Sequence, residues 1–287
     1  MSVPVTVTTL AISQRSTRAW SLDDDLAFLE AEGLEALGVE FAKLEATGDP
    51  LAAARRLAGS GLRITSLVAP GPFTLDRPER WPDERERAGR LMDIALALQP
   101  DVLVLSSGAA GALAWERAAD NLAEILQGTV LEAEREGLAL ALAPSPAWRR
   151  DLGFVSTLRD AVEVGWRIGL GACLDVTTCW SERNLVGTIG AATDRIALVR
   201  VADRALYPSP GGPTHDDPSA AVAELVPGDG ELPLDRVVNQ LLDAGYLGTF
   251  ELAAAGDHVE AGGDTAALTR GLTHLAGLIE GPSEPPD

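Results

Sequence analysis

Asp175, Arg200 and Glu251 are the residues of this chain whose types and spacing could do chemistry. Each stands near the end of a short apolar run: LGACLDVTTCW (Leu170 to Trp180), IALVRVAD (Ile196 to Asp203) and GTFELA (Gly248 to Ala253). A fourth run, GLALALAP (Gly137 to Pro144), carries Ala143 where a polar residue would complete the series. Two carboxylates beside a permanent cation can perform acid–base work. The guanidinium would bind a carbonyl, enolate or carboxylate, and one carboxylate would move a proton on the carbon next to that carbonyl. The same trio could equally be a buried salt-bridge network that plugs a dead site.

Around this trio stand four candidate substrate-binding residues. Trp148 and Trp180 lie on loops after two of the runs, where they could wall a ring-shaped ligand. Asp203, followed by Arg204, closes the third run. His215 sits in GGPTHDDP, within a long loop (Arg204 to Glu231) able to fold over a site as a lid. Lys43 is the only lysine, so any Schiff-base chemistry would have to use it, but a lone loop lysine is expected to be solvated. Cys173 reads as a small core residue, and Cys179 would be reactive only with a stabilised thiolate.

The elements that must position these residues alternate strictly. Strands are expected at Val3 to Ile12, Ala36 to Phe41, Leu62 to Val68, Asp101 to Ser106 and in the four runs above. Helices are expected from Ser21, which caps one rich in Asp23, Asp24 and Asp25, to near Gly33; from Asp49-Pro50 to Gly59 or Gly61; and over Asp83 to Leu98. Further helices follow at Trp115 to Glu136, Val155 to Trp166, Leu185 to Ala192, Pro233 to Ala244 and Thr265 to Ile279. Eight strand–helix units without a linker predict a single α/β domain, a (β/α)8 TIM barrel over residues 1–280, with residues 281–287 as a disordered tail. A doubly wound open sheet competes less well, because the first strand–helix turn lacks the glycines of a dinucleotide site. Alternation predicts Ala139, Ala141 and Ala143 facing into the barrel, and Cys173 inward beneath Asp175.

Composition narrows the function classes. In 287 residues, 23 Lys and Arg face 43 Asp and Glu, a formal charge of -20. Such a field repels nucleic acid and anionic membranes and argues against a polyphosphate ligand, although a local arginine could capture an anion. Hydrophobic content of 46% with only 5% aromatics fits Ala, Leu, Val and Ile packed between helices and a parallel sheet. Two cysteines, no signal-peptide pattern and no membrane-length apolar run point to a cytoplasmic, reduced protein. Dimers are common for barrels, so a homodimer is an expectation about assembly.

The chain resembles the xylose isomerase-like barrels known as sugar phosphate isomerases/epimerases. The resemblance rests on GLRITSL, ERAGRLMDIALAL, LDVTTCW, VRVAD and above all PGDGELPLDRVVNQLLDAGYLGTFEL. In that last segment Pro227, Gly228, Gly230, Gly245, Tyr246, Gly248 and Glu251 match the family pattern. The resemblance implies a divalent metal held by Glu, Asp, His and Glu from strands 5 to 8. Asp175 and Glu251 fill two of those places, but Ala143 and Arg200 fall on the other two. Thr178 and Pro146 fall where further histidines are common. Asp203 would then support the strand 7 residue from behind.

Neither an alanine nor a guanidinium can ligate a metal. The expectation is therefore a site with no metal and no cofactor, Arg200 standing between Asp175 and Glu251. The implied activity is a metal-independent isomerase or epimerase acting on a small polar or cyclic carbonyl substrate. A lyase or dehydratase on the same scaffold, or a non-catalytic ligand-binding relative, are the alternatives.

Overall fold

Strand β1 (Thr9–Ser13) is closed on both sides, pairing with β2 (Ala36–Glu40) and with the last strand, so the sheet has no edge. A computed structural model describes residues 8–69, 71, 73–206, 224–255 and 265–281. The remaining barrel strands are β3 (Arg63–Ala69), β4 (Val102–Ser106), β5 (Ala139–Ala143), β6 (Gly171–Asp175), β7 (Ile196–Val201) and β10 (Thr249–Leu252), all parallel to their neighbours. A short antiparallel pair, β8 (Asp203–Arg204) and β9 (Glu224–Leu225), joins the two ends of the loop after β7. This is an eight-stranded (β/α)8 barrel.

Capping residues legible in the sequence set several of the helix ends. Ser21 and Asp24 form a reciprocal capping box at the head of α1 (Leu22–Glu32), and Gly33, at φ 67°, ends it in the left-handed conformation glycine tolerates best. Asp49 caps α3 (Pro50–Ala58) through the Ala52 N–H. The outer shell continues with α4 (Trp81–Leu98), α5 (Trp115–Glu136), α6 (Leu158–Ile168), α8 (Leu185–Ala192), α9 (Leu234–Asp243) and α10 (Thr265–Glu280). No described helix is long and apolar enough to cross a membrane.

Several boundaries differ from the sequence expectation. The first strand runs Thr9–Ser13, and residues 1–7 lie outside the described residues. Phe41 does not end β2. It opens a short helix, α2 (Phe41–Glu45), in which Lys43 and Leu44 are buried. A second short helix, α7 (Val176–Cys179), follows β6 directly, with Asp175 as its N-cap. Helix α6 begins at Leu158 because Thr157, not an earlier residue, supplies the capping oxygen to the Asp160 N–H. His215 and residues 282–287 of the expected tail lie outside the described residues.

Two cores result. Between sheet and helices lies a large cluster that includes Leu140, Leu142, Leu174 and Phe250. Inside the barrel a small cluster holds Val102, Val104, Ala141, Cys173 and Leu198, with Ala143 packed against it. Ala141, Ala143 and Cys173 are therefore where alternation put them, whereas Ala139, at the start of β5, is exposed.

Above this narrow apolar plug the registers Asp175↔Arg200, Arg200↔Glu251 and Glu251↔Ala11 set three charged residues at one level of the barrel. Room for them is made on β2, where a Cβ added at Gly38 would fall on the Glu251 carboxylate. Gly38→Ala is expected to lower stability by about 1–3 kcal/mol through overpacking, as measured by denaturant unfolding. Unchanged stability would mean that the carboxylate has another place to go.

Candidate functional site

Arg200 reaches the C-terminal mouth of the barrel from β7 and is only 5% exposed. Its Nη2 donates to Glu40 Oε1 at 2.6 Å and to Ser13 Oγ at 3.2 Å. Its Nε faces Glu251 Oε2 at 4.0 Å, too far for a hydrogen bond, and both atoms are buried without a hydrogen-bond partner. The other oxygen of Glu251 is fully used, accepting from Thr65 Oγ1 at 2.6 Å and Ser66 Oγ at 2.7 Å. Two consecutive side chains of β3 reach the same carboxylate because the β2–β3 register shifts there: Leu37 pairs with Ile64 but Gly38 with Ser66. A bulge of this kind turns a side chain that would otherwise face the helices.

Sequence reasoning placed Arg200 between Asp175 and Glu251. The structure places it between Glu40 and Glu251. Asp175 lies beside Arg200 in register, but its Oδ1 is occupied by the Thr178 N–H at 3.0 Å and the Thr177 hydroxyl at 2.8 Å, the capping bonds of α7. Among the described residues it makes no ion pair with Arg200.

Glu40 was missed because β2 was read one residue too long, which hid a strand ending in a carboxylate like the others. The available signal was its place after the alternating ALGV run. Its backbone N–H donates to Gln14 Oε1 at 3.2 Å, and Gln14 Nε2 in turn donates to Asp25 at 2.8 Å.

Asp25 holds the one lysine of the chain. Lys43 is buried, not solvated as expected, and its Nζ donates to Asp25 Oδ2 at 2.6 Å, to the Thr17 carbonyl at 2.7 Å and to Thr17 Oγ1 at 3.2 Å. Lys43, Asp25 and Gln14 thus form a buried strut that fixes the backbone carrying Glu40. Burial lowers the Lys43 pKa and raises that of Asp25, and each opposes the other's shift.

The electrostatics at the centre are sharply divided. Burial works against the charge of Arg200, but Glu40, Asp175 and Glu251 outweigh it and hold the guanidinium protonated. Burial also lifts the Glu251 carboxyl above its usual range, with Arg200, Thr65 and Ser66 pulling the other way. Cys173, in the plug below, has its thiol pushed up by burial, and Cys179 is likewise buried and held protonated.

A cavity of about 1030 Å³ opens at this end of the barrel, lined among others by Gln14, Arg15, Trp20, Glu40, Ser106 and Arg200. It lies toward strands β1 to β5, and neither Asp175 nor Glu251 lines it. The expected tryptophans do not line it either. Trp148 is 68% exposed to solvent, and Trp180 packs against the outer core. The aromatic at the cavity is Trp20, braced edge-on by Phe28 with ring centroids 5.4 Å apart. Asp203 is buried away from the cavity, accepting from the N–H groups of Arg204, Gly228 and Leu232, so it pins the Pro-Gly-Asp-Gly turn to the end of β7.

These residues do not fit a divalent cation. At the end of β5 Ala143 offers no donor, and a guanidinium occupies the space facing Glu251. Among the described residues no three His, Cys, Asp or Glu side chains are grouped closely enough to hold an ion.

The model of one protein family, described as xylose isomerase-like TIM barrel, matches residues 26–276. The chain belongs to that family. No curated protein matches it significantly in sequence. Among solved structures this family member is similar to protein SMc04130 from Sinorhizobium meliloti 1021, at 22% identity and TM-score 0.81, covering 95% of this chain and 98% of that one. It is similar to the IOLI protein with a binding zinc atom, at 18% identity and TM-score 0.77 with the same coverage of 95% and 98%. It is also similar to the 3-keto-D-glucoside 4-epimerase YcjR from E. coli, at 15% identity and TM-score 0.66, over 92% and 99% of the two chains. At these identities the likeness is one of fold.

Two outcomes check this geometry. Lys43→Met strands the Asp25 charge in the interior and is expected to cost about 3–5 kcal/mol. Adding Asp25→Asn should restore part of it, as read by chemical unfolding. The second concerns pH. Since the folded pKa of Glu251 is raised above its ordinary 4.5, the folded state holds a proton that the unfolded state has lost. Its contribution to stability is therefore full below that value and declines as pH rises. Glu251→Gln should gain melting temperature relative to the unmodified protein between pH 5 and pH 8. A constant difference would show that Glu251 ionises as freely folded as unfolded.

Proposed function

We propose that this family member is an isomerase or epimerase that moves a proton next to a carbonyl group without a divalent metal. The observation that carries the reading is the Arg200–Glu40 pair, 2.6 Å apart and lining one cavity at the C-terminal mouth of the barrel, the end at which barrel enzymes place their chemistry. A metal polarises a carbonyl with a fixed positive charge, and here Arg200 supplies that charge.

In the proposed reaction a hydroxyketone or hydroxyaldehyde enters with its carbonyl oxygen toward Arg200. Glu40 takes the proton from the carbon beside the carbonyl, the C–H electron pair becomes the enediolate, and the oxygen charge that develops is met by the guanidinium. The carboxylic acid so formed returns the proton. Delivery to the neighbouring carbon, with the hydroxyl proton passing from one enediolate oxygen to the other, gives the isomer, and delivery to the opposite face of the same carbon gives the epimer. Glu251, wholly buried and outside the cavity, holds Arg200 from behind and does not touch substrate. Asp175 keeps the rim in shape through α7. The fold likeness to an epimerase supports the same class of reaction.

Deuterium wash-in from D2O, followed by NMR over a panel of small aldoses and ketoses, tests this directly. Glu40→Gln is expected to slow exchange by roughly 10²–10⁴-fold in a protein that still folds, as read by circular dichroism, and EDTA should change nothing. Exchange that stops with EDTA and returns with zinc or manganese would refute metal independence. Full exchange in the Glu40→Gln protein would remove Glu40 from the reaction.

A further inference from the structure

The net charge of this chain is -20, yet the wall of its mouth cavity is basic. Arg15, Arg18, Arg56, Arg149, Arg200 and Lys43 line it, against only two acidic residues, Asp23 and Glu40. Six of the 23 basic side chains of the chain thus face one cavity that draws two of the 43 acidic ones. The inversion arises because several of the neutralising carboxylates do not line the cavity. Glu224 grips Arg15 at 2.7 and 3.1 Å, and Asp151 grips Arg149 at 2.7 and 2.9 Å, both in two-pronged fashion. Neither carboxylate lines the cavity, and nor does Asp25, the partner of Lys43. A carboxylate that grips Nε and Nη2 of an arginine fixes the plane of the guanidinium and leaves Nη1 pointing elsewhere.

Donors are left over at this wall. Nη1 of Arg15 and Nη1 of Arg200 have no hydrogen bond among the described residues, since Arg15 bonds through Nε and Nη2 and Arg200 through Nη2 alone. Arg18 is exposed and has no carboxylate partner among them. Arg15 and Arg200 are close enough to repel one another electrostatically. Two cations, each paired with a carboxylate yet keeping a free Nη1, line the same cavity and can receive a negative group there.

We propose that the substrate of this barrel is an anion, and that its carboxylate or phosphate group binds between Arg15, Arg18 and the free edge of Arg200. This deepens the acid–base reading and rests on it for the location of the reacting carbon, beside Glu40. The neutral end of the substrate then lies toward Ser106 and Ala143, and the anionic end toward the loop after β1.

Isothermal titration calorimetry on the full chain at low salt tests the proposal, with inorganic phosphate and malonate as probes and glycerol as the neutral comparison. Phosphate or malonate should bind, glycerol should not, and the tighter of the two anions identifies the group. Arg15→Gln should weaken binding by about tenfold or more, the range for a lost charge-assisted hydrogen bond, and Arg18→Gln severalfold. Arg135→Gln, on the outer face of α5, should change nothing. Arg15 also supports Glu224, so if its variant does not fold, Arg18→Gln decides alone.

Glu40→Gln should bind the anions as well or better, because it removes a competing carboxylate from Arg200. Absence of anion binding, or equal weakening by Arg135→Gln, would overturn the proposal. Because the readout is binding without turnover, it can fail while proton exchange persists. It can also stand if Glu40→Gln leaves exchange intact, so the two readings fall separately.

Discussion

A single guanidinium, sealed between two carboxylates inside a closed sheet, is the constraint on which the mouth of this barrel depends. Desolvating one cation or one carboxylate is expensive, and opposite charges at short range with good hydrogen bonds are what offset it. Arg200 has one such bond, to Glu40, and one looser contact, to Glu251. The looser contact matters as much as the tight one. Glu251 is kept in place by two hydroxyls of β3 and by a glycine on β2 that leaves it room, so the charge behind Arg200 is fixed from three strands at once. The guanidinium cannot follow a ligand outward without leaving Glu251 uncompensated. That makes Arg200 a positioned charge and not a flexible one, which is the quality electrostatic stabilisation of a developing oxyanion requires.

Most of the architecture was legible because barrel strands announce themselves twice, by their apolar runs and by the helical stretches between them. Inward Ala141, Ala143 and Cys173 followed from alternation alone. What alternation could not give was the partner of Arg200. Strand neighbours in sequence suggested Asp175, since strands 6 and 7 pair. The long arginine side chain instead crosses the mouth to Glu40 on β2, a strand with which β7 does not pair, and only the closed curvature of the sheet brings the two together. Asp175 was drawn away by something equally local, the free N–H groups of the short helix that begins at the next residue.

The same distinction explains the aromatic residues and the lysine. Trp148 and Trp180 follow barrel strands and were reasonable walls for a ligand, but loop direction sends one into solvent and the other into the helical layer. Trp20, in the loop after β1, carries no sequence mark separating it from ordinary packing. The charge of the cavity was hidden too. Net composition is an average, and an average of strong negative sign says nothing about a wall most of whose acidic partners do not line it.

The strut beneath β2 has a practical side. The only lysine in the sequence is Lys43, and the fold encloses its amine among Asp25 and Thr17. A folded molecule therefore offers amine-directed reagents only a lysine whose amine is already held by a carboxylate and a threonine, and faster acylation of that residue reports loosening of the first two strand–loop connections.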